Sequence, residues 1–187
     1  MKNKVKFGLS NVCIAKITSN SSAGVTYDTP FKLPGAVNLT LDPEGESADF
    51  YGDNTKYYSE FANQGYSGSL EIAKINDEFR TQILGEKTDS NGALIESTDD
   101  TISDFALGFQ INGDKSNRKF WFYNVSAQRP STAGQTIETS KEPTTDTLNI
   151  TATARISDNK IKVFMEETAD NKAVYASFFE SVYEQSV

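Results

Sequence analysis

The side chains that could do chemistry in this 187-residue sequence are almost all carboxylates, since it has 26 acidic residues, one cysteine and no histidine. The lack of histidine removes the commonest general base, the usual serine and cysteine triads, and the typical zinc sites. A pair of carboxylates can cleave a glycoside, but nothing in the sequence singles out such a pair. The sequence also has no phosphate-binding glycine loop. It therefore favours a protein that is not an enzyme and holds no cofactor.

The densest group of carboxylates is an acidic run that could be considered for calcium. It lacks the order of ligands and the glycine of an EF-hand loop, so we interpret it as a solvated acidic surface and expect no metal site. The run consists of Asp42, Glu44, Glu46, Asp49 and Asp53. The one cysteine, Cys13, has no partner for an internal disulfide, and we expect a small, buried side chain.

The length and composition indicate what class of protein this is. The length is that of one domain, which we expect to span residues 1–187. The abundance of threonine, serine and aromatic residues is typical of a mainly β domain, and the net charge of −8 argues against a nucleic-acid-binding surface. No apolar stretch is long enough for a signal peptide or a membrane span, so we expect synthesis in the cytoplasm without export.

One long polar segment, about residues 42–67, is unusually rich in aromatic side chains. Loops of this length are either functional or disordered, and disordered segments are poor in aromatic residues. We therefore predict an ordered arm whose aromatic residues are buried against another copy of the protein, and which is mobile in the free subunit. The interface candidates are Phe50, Tyr51, Tyr57, Tyr58, Phe61 and Tyr66.

A single short helix is predicted at about residues 76–84. Asn76 is suited to cap its N-terminus, and Gly85 to end it. Ile75, Phe79 and Ile83 recur every four residues and form one apolar stripe, which we expect to pack on a sheet.

The rest of the chain reads mainly as strands. Residues 105–111 alternate strictly, and the return strand from Lys119 is apolar on both faces, which predicts cover on both sides. A sandwich, a barrel with a helix, or an interface would each cover both faces of this strand. We expect residues 147–156 to form a further strand and a final hairpin with 160–165, and Val37, Leu39 and Leu41 to share one face of a strand. The predicted core includes Phe105, Leu107, Phe109, Trp121, Leu148 and Ile150. A short C-terminal helix is predicted from the spacing of Val174, Phe178 and Val182.

Several short motifs resemble, in the same order, those of the major tail proteins of long-tailed bacteriophages, of the phi-thirteen type. They are LDPEG (41–45), FYGDN (50–54), NQGYSG (63–68), FYN (122–124), RP (129–130) and EPTTDTL (142–148). The resemblance extends over nearly the whole chain and implies a β-sandwich or barrel flanked by a helix. It further implies a tail-tube subunit that assembles into stacked hexameric rings, the conduit for genome ejection.

The resemblance also implies partners and a location. The partners are other copies of the chain and the tape-measure, distal-tail and tail-terminator proteins, while DNA passes through without specific binding. The protein would be made in the host cytoplasm and reside in the tail of the virion. The candidates for the channel lining are the acidic run together with Glu96, Asp99 and Asp100.

One alternative function remains open from the residues themselves. A β-sandwich carbohydrate-binding or adhesin-like module could use exposed aromatic residues such as Tyr57 and Tyr58 to stack on sugars.

Overall fold

A computed structural model describes residues 3–134, 136 and 143–185. These residues form a mainly β domain of the sandwich type, as the composition predicted. The elements are, in chain order, β1 (Lys6–Ser21), β2 (Gly24–Tyr27), β3 (Phe31–Lys32), β4 (Ala36–Glu44), β5 (Ser47–Gly52), β6 (Thr55–Phe61), β7 (Gly65–Ile72), α1 (Asp77–Gln82), β8 (Lys87–Thr88), β9 (Leu94–Ile95), β10 (Phe105–Gly113), β11 (Arg118–Ala127), β12 (Asp146–Thr153), β13 (Lys162–Glu166) and α2 (Lys172–Ala176).

The main sheet has the strand order β2-β1-β10-β11-β12-β7-β4, with β3 paired to β1 and β13 paired to β11. The pairings are antiparallel. The sheet forks at β11, because Arg118–Phe122 pair with β13 while Asn124–Ala127 pair with β12. The predicted final hairpin is therefore wrong: the turn after β12 exists, but the strand that follows it pairs with β11.

The two apolar faces of β11 lie in two separate cores, as the sequence predicted. Phe122 and Val125 belong to the larger core, which β1, β7, β10, β12 and α1 also line. Trp121 and Tyr123 belong to a smaller one with Cys13, which is buried as expected. The six predicted core residues are all buried.

The helix α1 closes one side of the larger core and confirms the predicted caps. The Asn76 side chain accepts a hydrogen bond of 3.0 Å from the backbone N–H of Phe79. Gly85 follows with φ +80°, a conformation that glycine adopts without strain. Ile75, Phe79 and Ile83 are buried together, which confirms the apolar stripe predicted from their four-residue spacing.

The C-terminal segment, residues 171–184, covers the outer face of β11. Three donors on alternate residues of β11 reach backbone carbonyls of this segment: Lys119 Nζ donates to Tyr175, Trp121 Nε1 to Phe178 and Tyr123 Oη to Tyr183, at 2.6, 2.8 and 2.9 Å. The buried Arg155 side chain donates a 3.0 Å hydrogen bond to Glu184 and contacts Asp158. The segment is thus part of the folded subunit.

Three apolar residues of the predicted strands and C-terminal helix are exposed: Val37, Ile156 and Val174. A shift of register between Ala36 and Asn38 interrupts the alternation of β4, so Val37 turns outward. Ile156 lies beyond the end of β12. The predicted C-terminal helix is present but short, and Tyr175 is the residue that it buries.

Candidate assembly surface

The aromatic arm is a β-hairpin, which corrects its interpretation as a loop. Strands β5 and β6 pair with each other, and the two-residue turn Asp53-Asn54 joins them with positive φ at both residues. That geometry is the type I′ turn, whose twist matches the twist of a hairpin. We call residues 47–61 the ribbon.

The ribbon continues the pairing of β4 with β7. At its base, Glu46 accepts a backbone hydrogen bond from Ala62, and Glu44 accepts one from Gln64, at 3.0 and 2.9 Å. Gly45 lies between them, where a Cβ atom would sit 1.7 Å from the carbonyl oxygen of Ala62. Only glycine allows the two chains to approach this closely, so this residue positions the ribbon on the domain.

Five of the six interface candidates lie on the ribbon and point into solvent. Their exposed fractions range from 55% to 80%. Soluble proteins rarely leave a continuous group of large aromatic side chains uncovered, and such groups mark binding surfaces. The five are Phe50, Tyr51, Tyr57, Tyr58 and Phe61.

Aromatic residues occur on both faces of the ribbon. Phe50 and Tyr58 are direct register partners and share one face. Asp49 contacts both Lys56 and Ser59 at 2.7 Å on the opposite face, where Phe61 also lies because residues two apart in a strand share a face. Covering the ribbon therefore requires contacts on two sides.

Tyr66 differs from the other candidates because it lies in β7, at the edge of the subunit's own core. Its ring meets that of Phe122 edge-on at 5.4 Å, and its hydroxyl accepts a 2.7 Å hydrogen bond from Lys162. The side chain is half-buried within its own subunit.

The candidates for the channel lining fall into two separate segments. Asp42 and Glu44 lie at the end of β4, Glu46 lies at the base of the ribbon, and Asp49 and Asp53 lie on the ribbon. The Asp49 carboxylate pairs with Lys56 and accepts a hydrogen bond from Ser59, and these contacts hold its pKa below the ordinary value.

The second segment follows β9. Glu96 lies 3.3 Å from the Arg129 guanidinium, and Asp100 accepts a hydrogen bond from the backbone N–H of Ser97. Asp99 is exposed. Neither segment forms a metal site: within residues 3–134, 136 and 143–185, no cluster of three or more cysteine or acidic side chains is arranged to hold a metal ion.

Cys13 is not a nucleophile at neutral pH. Burial raises the pKa of its thiol to about 12, so the reactive thiolate is scarcely populated. Among the residues that the structure describes, neither helix has the length and apolar character needed to cross a membrane.

Sequence reasoning missed that the ribbon is made of strands. The signal for it was the pair Asp53-Asn54, two residues that tolerate positive φ, between runs of strand-forming aromatic residues. It also did not identify Phe7, at the start of β1, as an exposed aromatic residue.

The family model for Phage tail tube protein matches residues 36–186, which include the ribbon, β10, β11 and the C-terminal segment. A search of curated proteins finds no match to this chain. Proteins of the matched family are structural components of phage tails. With four-fifths of its length matched, the chain belongs to the phage tail tube protein family.

Proposed function

We propose that this chain is the repeating subunit of a tail tube in which six copies close into a ring and rings stack around a channel. The observation that carries the proposal is the ribbon, with five exposed aromatic side chains that its own subunit does not cover. Each aromatic side chain that becomes fully buried against a neighbouring subunit stabilises the assembly by about 1.5–3 kcal/mol. A few contacts of this kind are enough to hold a ring together.

Contact between two different surfaces of identical subunits either closes into a ring or continues as a filament. A second contact of this kind stacks one ring on the next. In this proposal, the tape-measure, distal-tail and tail-terminator proteins meet the assembled tube, and the subunit is made in the host cytoplasm before it enters the virion.

Electron microscopy of the purified protein at high concentration tests the proposal. We expect rings or tubes from the wild type, and single subunits from a variant with Phe50→Ser and Tyr57→Ser. The matched control carries Ile95→Ser and Ile156→Ser, which replace two apolar residues outside the ribbon that are also more than half exposed. Rings from the ribbon variant, or none from the wild type, would contradict the proposal. A monomer that binds a glycan array would instead support a carbohydrate-binding module.

The channel of such a tube conducts DNA without binding it. Each subunit carries a net charge of −8, and charges act over about 8 Å at physiological ionic strength. We propose that Glu96, Asp99, Asp100 and the ribbon carboxylates left uncovered by neighbouring subunits face the channel. They would repel phosphate and let the genome slide.

A gel-shift with assembled tubes and short duplex DNA tests this part of the proposal. At about 50 mM salt, where electrostatic attraction is strong, we expect the DNA to migrate as it does alone. Retardation of the DNA would show that the wall holds phosphates, and would contradict a passive conduit.

A further inference from the structure

A second exposed apolar surface lies between the start of β1 and β4. It is an open groove of ≈ 680 Å³. Phe109, Phe120 and Phe122 contribute to its lining from the sheet, and Phe7 and Val37 line it from the two edges. The last two are more than half exposed, so the groove is apolar and accessible.

The groove is open because β1 and β4 do not pair. Strand β1 is interrupted by register shifts at Gly8 and Asn11, both with positive φ, which bend its first residues. In the part of the chain that the structure describes, β7 is the one strand that pairs with β4. The groove thus runs beside free strand edges, which are suited to accept a further strand.

The groove is also positively charged. Lys6 and Lys162 line it, and its described lining includes no acidic side chain. The ribbon and the residues leading into it have the opposite character. From residue 42 to residue 61 they carry one basic residue, Lys56, and six acidic ones: Asp42, Glu44, Glu46, Asp49, Asp53 and Glu60.

We infer that the groove is the site that receives the ribbon of a second copy. The inference rests on the proposed self-assembly and adds the surface on which it acts. The ribbon matches the groove in three respects: it is a strand pair with free edges, its aromatic side chains suit a floor of phenylalanine rings, and its carboxylates suit the two lysines. Insertion covers Phe7 and Val37 together with one face of the ribbon, and leaves the second aromatic face for another neighbour.

Because donor and acceptor are different surfaces of one chain, each subunit offers both. This makes a mixing experiment decisive. The donor variant carries Phe50→Ser and Tyr57→Ser, and the acceptor variant carries Phe7→Ser and Val37→Ser. The four replaced residues are all more than half exposed, so both variants should fold like the wild type, which circular dichroism checks.

Sedimentation velocity then separates the outcomes. We expect each variant alone to remain a monomer at concentrations where the wild type assembles, and an equal mixture to form dimers, because one intact ribbon meets one intact groove. The Ile95→Ser, Ile156→Ser control should assemble as the wild type does. If the acceptor variant assembles like the wild type, or if the mixture stays monomeric while the wild type assembles, the inference is overturned and the proposed function stands.

Two further outcomes separate the inference from the proposed function. Dimers in the mixture, together with a wild type that forms open chains but no rings, would support the groove and overturn the hexameric ring. A wild type that is monomeric at every concentration would overturn both.

A charge reversal in the groove provides a second test. We expect Lys6→Glu to raise the concentration at which half of the subunits assemble by about tenfold or more. The effect should shrink near 1 M salt, where the screening length falls to about 3 Å. Lys74→Glu makes the same change of charge at an exposed residue outside the groove and is the matched control. Equal effects of the two substitutions would overturn the role of the lysine.

Discussion

The ribbon and the C-terminal segment are both aromatic-rich additions to the main sheet, yet the subunit covers one and leaves the other open. The C-terminal segment buries Tyr175, Phe178 and Val182, and three side chains of β11 donate hydrogen bonds to its carbonyls. The part of the subunit that the structure describes gives the ribbon no such receiving surface, and the five aromatic side chains of the ribbon stay exposed. Aromatic content shows that a segment needs cover, and hydrogen-bond donors aimed at its backbone show whether its own chain provides it.

The largest effect on stability is expected from a substitution in the C-terminal segment. Phe178→Ala removes a fully buried ring from the smaller core, and we expect it to lower the free energy of unfolding by about 3–5 kcal/mol. Urea denaturation followed by circular dichroism measures the change. Val174→Ala, at an exposed residue of the same segment, is the matched control and should change stability by less than about 0.5 kcal/mol. Similar values for the two variants would mean that the segment is not part of the cooperative unit.

A smaller effect on stability is expected at acidic pH from Asp158, which contacts the Arg155 side chain that binds Glu184 of the C-terminal segment. Hydrogen bonds from Arg155 lower the pKa of Asp158 from 3.8 to about 2. A depressed carboxyl pKa contributes stability that is complete above the unfolded-state value and is lost as the pH falls from about 4 through about 2. Because the carboxylate is partly exposed, we expect the contribution to be about 1 kcal/mol.

Denaturation of the wild type and of Asp158→Asn between pH 5 and pH 2 measures this contribution. The two proteins should differ in stability at pH 5 and converge near pH 2. A difference that is the same at every pH would exclude a role for the charge.

The smallest effect on the stability of the subunit is expected from a substitution in the ribbon. Tyr57 is 80% exposed, so Tyr57→Ala should change the stability of the monomer by less than about 0.5 kcal/mol while it weakens assembly. Hydrogen exchange on monomer and tube sharpens the contrast: amides of the ribbon should gain protection in the tube, and those of the C-terminal segment should not. Equal protection of the ribbon in both forms would rule out its role between subunits.

The elements that the sequence predicted well are those with local, repeated patterns. Helix α1 has its cap, stripe and terminal glycine within the eleven residues 75–85, and the sequence of β10 alternates without interruption. The partner of β13 was missed because the choice between β12 and β11 depends on tertiary packing, which no local pattern records. Val37 was misplaced because the register shift lies at that residue, while Leu39 and Leu41 beyond it pack against the larger core as predicted.

The assembly surface was predicted only in part. Exposed aromatic residues were identified from composition, but a strand that projects from a domain has no core to alternate against, so its periodicity was absent. The groove was not foreseen, because it arises where two strands distant in sequence fail to pair. The polar connection at residues 129–143 was also noted from the sequence, and its residues 135 and 137–142 lie outside the described residues.

The continuity of the ribbon with β4 and β7 has a mechanical consequence. Hydrogen bonds of antiparallel strands run perpendicular to them, so a pull along the ribbon loads the bonds of its supporting strands in shear, together and not one after another. Strand β7 is bonded on both edges, to β4 and to β12, from Tyr66 to Ile72. Under tension, a joint made by the ribbon should therefore slip out of the neighbouring subunit before the subunit that owns it unravels. A tail built this way would bend and stretch at its joints while each subunit keeps its fold.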